Sequence, residues 1–457
     1  MTLTLSGNAP ATDALPPVER RAVLPAGFRA GGAVAGIKAS GRPDLVLIAS
    51  TDGPAAAAAV FTPNAFAAAP VRRSRQNLAA TSDDARGGFG FAAAVVSTSG
   101  CANAATGAAG DADQDAVGGF VSDALGIDET KILHLSTGVI GTRLPLDKVA
   151  AGIAALAPTL TADDAAFAAA AEALRTTDSV TKAASATLVL PAPDGEPVPV
   201  TVSGIAKGVG MIHPNMATML SVVLTDAPVA PEVLWGLLRP AAARTWDQLS
   251  VDGDTSTNDT VFVLASGAAG AAPVAAGSHA AAALGRAIEA VARDLARQQA
   301  ADGEGAATLI TTVVRGAADD ADARAVARAV VSSSLVKAAA HGRDPNWGRI
   351  AGAAGNAVTA SAAVLEAAGL STAEAAARAG QAANVDPDRL HIAIAGFPVF
   401  DGTAGGPLPF DRDAARLAMT APELVIELDL GLGDGTGEAF GCDLTEQYVI
   451  ENSEYTT

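Results

Sequence analysis

The chain has 457 residues, a length that suits two domains or one large composite α/β body better than a single small core. Apolar residues make up 49% and charged residues 17%, which places it among globular chains and away from disordered ones. With 30 Lys and Arg against 49 Asp and Glu the net charge is −19, and the densest basic group is only Arg72, Arg73 and Arg75, so DNA, RNA and anionic membranes are poor partners.

In chain order, residues 1–25 have neither a basic nor an apolar leader segment and read as a loose tail. No later apolar run reaches the roughly 18 residues of a membrane span, so a soluble, cytoplasmic protein is expected. Short β-branched runs bounded by Gly, Asp or Pro predict strands over 44–49 and 93–98. A helix is predicted over 161–175, opened by Thr161 with Asp164 three residues on. Strands follow over 186–190, 198–203, 220–225 and 260–265, and the Ala/Gly stretch 267–283 reads as surface loop or helix filler. Beyond it come a helix over 279–300, a strand over 308–314, helices over 318–329 and 371–383, and a strand over 423–430. The helix at 371 opens on the capping-box pair Ser371 and Glu374, and "LVIELDL" alternates as a strand with one buried face does. Strands and helices mix throughout, giving a mixed α/β (α+β) architecture of extended sheets flanked by helices.

Cys101 and Cys442 lie far apart and the five histidines form no HxxxH pair, so neither a metal site nor a structural disulfide is indicated. Neither GxGxxG nor a P-loop is present, which leaves a nucleotide cofactor without support.

Four groups of polar residues break helix and strand logic, and such breaks mark candidate sites. They are "KGVGMIHPNMATML" (207–220), "LSTGVIGTRLP" (135–145), "SVDGDTSTNDT" (250–260), and the set "DGEG" (302–305), "HGRDPNWGRI" (341–350) and "ENSEYTT" (451–457). The glycine of Ser136-Thr137-Gly138 can expose backbone N–H groups, as an oxyanion site requires. The 250–260 stretch also suits a plain hydrogen-bonded turn. His213 reads either as a general base for Thr218 or as a turn and packing residue, and Cys101 either as a nucleophile or as a small buried side chain.

Together these stretches, with "GFRAGGAVAGIKASGRPDLVLI" (27–48), "STGVIG" and "YVIENSEYTT", make the chain resemble the ornithine acetyltransferase family, the glutamate N-acetyltransferases of arginine biosynthesis. The motifs run in order along nearly the whole chain. The resemblance implies a precursor that cuts itself between Ala217 and Thr218 into an α chain, 26–217 after the tail, and a β chain, 218–457, with one composite active site. It implies an N-terminal-threonine-nucleophile fold in which Thr218 accepts the acetyl group and Thr137 and Gly138 form the oxyanion hole. Thr176, Lys207, Thr218, Glu304, Asn452 and Thr457 would bind the amino-acid substrates, with Thr177 as the alternative to Thr176. Thr308 stands where the family more usually has Lys, and Cys101 where it more usually has Asn. No cofactor is implied, although acetyl-CoA is allowed as an additional acetyl donor. The implied partners are N-acetylornithine, glutamate, and the two cleaved chains in a heterotetramer of two α and two β.

The chemistry fits those residue types. A threonine hydroxyl needs a base, and cleavage would supply one as the Thr218 α-amine, whose ordinary pKa is roughly 7.7–8.0. Acetyl transfer from N-acetylornithine to glutamate would then be ping-pong. The alternatives are an N-terminal-nucleophile aminopeptidase or amidase, which passes the acyl group to water, and a non-catalytic acidic binding protein.

Overall fold

The computed structural model describes residues 15–213 and 219–453, whose strands form sheets of four, six and seven. The six-stranded sheet runs in the order Phe89–Ala92, Ala55–Phe61, Thr260–Ala265, Leu220–Thr225, Pro197–Lys207, Lys182–Pro191. Its two central strands, Leu220–Thr225 and Thr260–Ala265, are parallel, with Leu220 opposite Thr260. Leu220 also faces Lys207 of the antiparallel neighbour, so the stretch from 208 to 219 connects two adjacent strands at one end of the sheet.

Residues of this sheet alternate between two cores, as the two-residue period of a strand requires. Val261, Val263 and Ala265 join a core with the helices Pro231–Arg244 and His279–Ala301. Phe262 and Leu264 join another with Phe28, Val46 and Leu133 of the four-stranded sheet and with Phe167 and Leu174 of the helix Asp164–Leu174. The four-stranded sheet, in the order Phe28–Ala33, Leu45–Ser50, Ala94–Cys101, Ile132–Val139, carries the helices Gly107–Leu125 and Leu146–Leu156 on its far side. The seven-stranded sheet buries one face under Asp320–Ser332 and its neighbours. Arg293 and Arg297 of the long helix reach it by lying over Phe440 and pairing with Glu438 and Glu423.

Each of the eight predicted strands forms within a few residues of its expected limits, and the mixed α/β class holds. The helix expected from Thr161 starts later, at Asp164, because Asp163 accepts the Ala166 N–H while Thr161 bridges to Ala30. The helix opened by Ser371 and Glu374 has the reciprocal capping bonds but ends at Arg378, short of 383, where Gly380 takes a positive φ. The stretch 267–283 is loop up to Ser278, which caps the long helix. The tail expected to be loose is held from Glu19, which bridges to Ser185, and Arg20 pairs with Asp294. Among the described residues no helix is long and apolar enough to cross a membrane.

Candidate active site

A cavity of about 370 Å³ opens where the four- and six-stranded sheets bring their loop ends together. Thr137, Gly138, Thr176, Thr177, Lys207, Glu304 and Asn452 all line it, as do Ser256, Thr257 and Asn258 from the polar 250–260 stretch. Thr218, Ala217 and Thr457 lie outside the described residues.

Thr137 and Gly138 close the strand Ile132–Val139 at a bulge, where Cys101 of the parallel neighbour pairs with both Thr137 and Val139. Gly138 has φ +130°, and a Cβ there would fall 2.3 Å from the Gly100 carbonyl carbon, so no other residue fits. Asn258 fixes this bulge from the side, its Nδ2 donating to Ser136 O at 2.8 Å and to Ala102 O at 2.7 Å.

The loop Gly208-Val209-Gly210 leaves the end of its strand against Glu304. The Glu304 N–H donates to Val209 O at 2.8 Å, and a Cβ on Gly210 would lie 2.2 Å from Glu304 Oε2. Glu304 then takes Thr177 Oγ1 at 3.1 Å and Asn452 Nδ2 at 3.0 Å, so one carboxylate joins three remote segments. Both Thr176 and Thr177 face the cavity, and it is the Thr177 hydroxyl that bonds to Glu304.

Lys207 is buried, and that burial lowers its pKa against the opposing pull of Asp178, Glu304 and Asp259. Asp178 is nearby: its Oδ1 accepts Lys182 Nζ at 2.6 Å and the Gly208 N–H at 2.8 Å. Burial pushes the Asp178 carboxyl up, but Lys182, Lys207 and these hydrogen bonds outweigh it and hold its pKa well below the ordinary range. Lys182, itself buried, also pairs with Asp302 at 2.5 Å. Lys38, from the glycine-rich 27–48 stretch, is near enough for its charge to act on Lys207, and burial lowers its pKa to about 8.

The 250–260 stretch grips the 207–220 segment at both ends. Upstream, the Asp252 carboxylate accepts the N–H groups of Met211 and Ile212, the latter at 2.8 Å. Downstream, Asp259 Oδ1 accepts the Met219 N–H at 3.1 Å. Met211 has φ +54°, unusual for a side chain of that size, and its N–H bond to Asp252 compensates for it.

His213 turns elsewhere: its Nδ1 meets Ser250 Oγ at 3.3 Å, and it lines a second cavity, of about 910 Å³, with Arg328 and Arg349. Cys101 is buried with its Sγ 3.2 Å from Thr142 O, in a packing role. Cys101 and Cys442 are both free thiols. Among the described residues no cluster of His, Cys, Asp or Glu has metal-binding geometry. Asn258, Asp178, Lys182, Asp252 and Asp259 were not singled out in the sequence as site residues. The density of Asp, Ser and Thr in 250–260 was the available signal for three of them.

The model of the family described as "ArgJ family" matches residues 29–457. The Arginine biosynthesis bifunctional protein ArgJ of Thermus thermophilus is 43% identical over 434 residues, 95% of this chain and 99% of its own length. That of Thermosynechococcus vestitus is 43% identical over 448 residues, 94% of this chain and 96% of its own length. The solved structure of Ornithine Acetyltransferase complexed with Ornithine from Mycobacterium tuberculosis is 38% identical, covering 44% of this chain and 98% of its own, at a TM-score of 0.38. With the matched stretch spanning every segment that lines the cavity, the chain belongs to the ArgJ family.

Proposed function

We propose that this chain is a glutamate N-acetyltransferase of arginine biosynthesis, moving acetyl from N2-acetyl-L-ornithine to L-glutamate through an acetyl ester on Thr218. The observation that carries the reading is the cavity that gathers Thr137, Gly138, Thr176, Lys207, Glu304 and Asn452 beside a segment whose two ends Asp252 and Asp259 hold. The chain cuts itself between Ala217 and Thr218, and the α and β chains so formed keep one composite site.

In the first half-reaction the Thr218 hydroxyl oxygen attacks the acetyl carbonyl carbon of N-acetylornithine. The α-amine of the same residue takes the hydroxyl proton and hands it to the departing nitrogen as the C–N bond breaks. In the second, the glutamate amine attacks the ester, a new C–N bond forms, and the threonine oxygen leaves with a proton. Each tetrahedral intermediate carries an oxyanion, which donors at Thr137 and Gly138 stabilise. Ornithine and glutamate share only the α-amino-acid end. Lys207, Thr176, Asn452 and Thr457 meet the carboxylate, and Glu304 meets an amine. Acetyl-CoA serves as a further donor if N-acetylglutamate is also made anew. The cleaved chains assemble as two α and two β, in the cytoplasm.

Incubating the purified protein with N-acetylornithine, with and without glutamate, tests the reaction class. Formation of N-acetylglutamate well ahead of free acetate is expected, whereas acetate alone would mark a hydrolase.

A further inference from the structure

Lys207 is one of two lysines buried at the same end of the six-stranded sheet. Lys182 opens the edge strand opposite Ala206, one residue from Lys207, and is completely buried. Three carboxyls act on the Lys207 ammonium by charge, Asp178 most strongly, then Glu304 and Asp259. Asp259 is fully buried against the Met219 N–H, and burial favours its uncharged form. Glu304 lies in the cavity wall, its two oxygens taking the Thr177 hydroxyl and the Asn452 amide. Asp178 is both buried and ionised, which makes it the strongest competitor for a lysine. Its oxygens are already engaged. Oδ1 accepts Lys182 Nζ at 2.6 Å and the Gly208 N–H at 2.8 Å, and Oδ2 accepts the Thr176 N–H at 3.1 Å. Asp302 anchors Lys182 from its other side, meeting Nζ at 2.5 Å while also accepting the Ser179 N–H at 3.1 Å. Among the described residues neither Asp178 nor Asp302 has a hydrogen bond or ion pair to Lys207.

An ammonium in the wall of a substrate cavity can serve an anionic group only if no protein carboxylate takes it first, because a pair formed within the protein costs no substrate freedom. Resting on the reading that Lys207 meets the substrate carboxylate, we propose that Lys182 is a positioning residue for substrate binding: anchored on Asp302, it occupies Asp178 and so keeps the Lys207 ammonium free for the α-carboxylate that ornithine and glutamate share. The same carboxylate holds the backbone of Thr176 and of Gly208, so one ion pair fixes two segments of the cavity wall. Removing the Lys182 charge alone leaves Asp178 buried with Lys207 as the nearby cation, and the flexible Lys207 side chain turns onto it. The site then keeps its shape and loses its free charge.

The test compares steady-state acetyl transfer by the parent, by Lys182→Met and by the double variant Lys182→Met with Asp178→Asn. Met keeps most of the side chain's length and bulk without its charge, so KM for both N-acetylornithine and glutamate should rise about 10-fold or more while kcat changes less than about threefold. Asp178→Asn then removes the competing charge, and replacing both members of a buried pair is tolerated better than removing one. Both KM values of the double variant should return to within about threefold of the parent. A purely structural role for Lys182 predicts no such rescue. A single variant with parental KM, or a double variant that keeps the raised KM or fails to fold, would overturn the proposal, and the double variant decides even where the single one does not fold. Lys207→Met tests the underlying reading separately: parental KM in that variant would remove Lys207 from substrate binding whatever Lys182 does.

Discussion

Asn452 Nδ2 donates to Glu304 Oε2 at 3.0 Å, joining residues 148 apart in sequence and bringing the C-terminal helix Glu446–Ser453 onto the cavity. Glu304 in turn holds the Thr177 hydroxyl, so the carboxylate that would meet a substrate amine is oriented from two sides before any substrate arrives. Asn452→Ala removes one of those supports and a charge-assisted hydrogen bond of about 1.5–3 kcal/mol. Steady-state kinetics should show KM for N-acetylornithine rising roughly 10-fold or more while kcat changes by less than about threefold.

The bulge that seats Thr137 and Gly138 should behave in the opposite way. A group used only for the developing oxyanion affects turnover and leaves binding alone, so Thr137→Ala should lower kcat by about 10²–10³-fold at nearly constant KM. Gly138→Ala should be worse, since its Cβ would collide with Gly100 and displace the bulge. Loss of both soluble yield and activity is expected.

Asp252 supports the upstream end of the 207–220 segment by accepting two N–H groups. Asp252→Ala leaves them unmatched at a cost of about 1–3 kcal/mol, seen as a lower melting temperature. It should also slow the appearance of the cleaved chains on a gel, because Met211 is no longer held at its positive φ.

His134 gives a prediction for pH. It is fully buried on the strand Ile132–Val139 that carries Thr137, its Nδ1 2.9 Å from Gln114 Nε2, and burial, with a smaller push from Arg73, lowers its pKa to about 3. The unfolded chain, with an ordinary histidine near 6.5, therefore binds the proton first as pH falls. Stability should drop as pH goes from about 6.5 towards 3, by about 1.4 kcal/mol per unit from this residue alone. Replacement by Gln should flatten that slope in urea titrations at pH 4, 5 and 6, although the variant will be less stable at neutral pH.

Some of this could be read from residues alone and some could not. Ser371 with Glu374 announced a helix start because a capping box is local chemistry, and "LVIELDL" announced a strand because its alternation is local too. The strand Ala55–Phe61 was unreadable: five successive alanines favour a helix, and only their position between two cores, Ala56 and Ala58 facing one and Ala57 and Ala59 the other, makes them a strand. The candidate site divides the same way. The motifs carrying Thr137, Lys207, Glu304 and Asn452 stood out, whereas Asp178 and Asp259 gain their character from neighbours that only folding brings near, Lys182 and Gly208 for one, Met219 for the other. Thr161 shows the limit of local rules, since Asp163 took the cap and Thr161 joined a bridge to Ala30.

The most direct measurement is mass spectrometry of the purified protein after brief exposure to N-acetylornithine without glutamate, with fragments mapped along the chain. The expected result is a β chain beginning at Thr218 and carrying one acetyl group on that residue, which disappears when glutamate is added. An uncut, active chain, or an acetyl group on any other residue, would contradict the account.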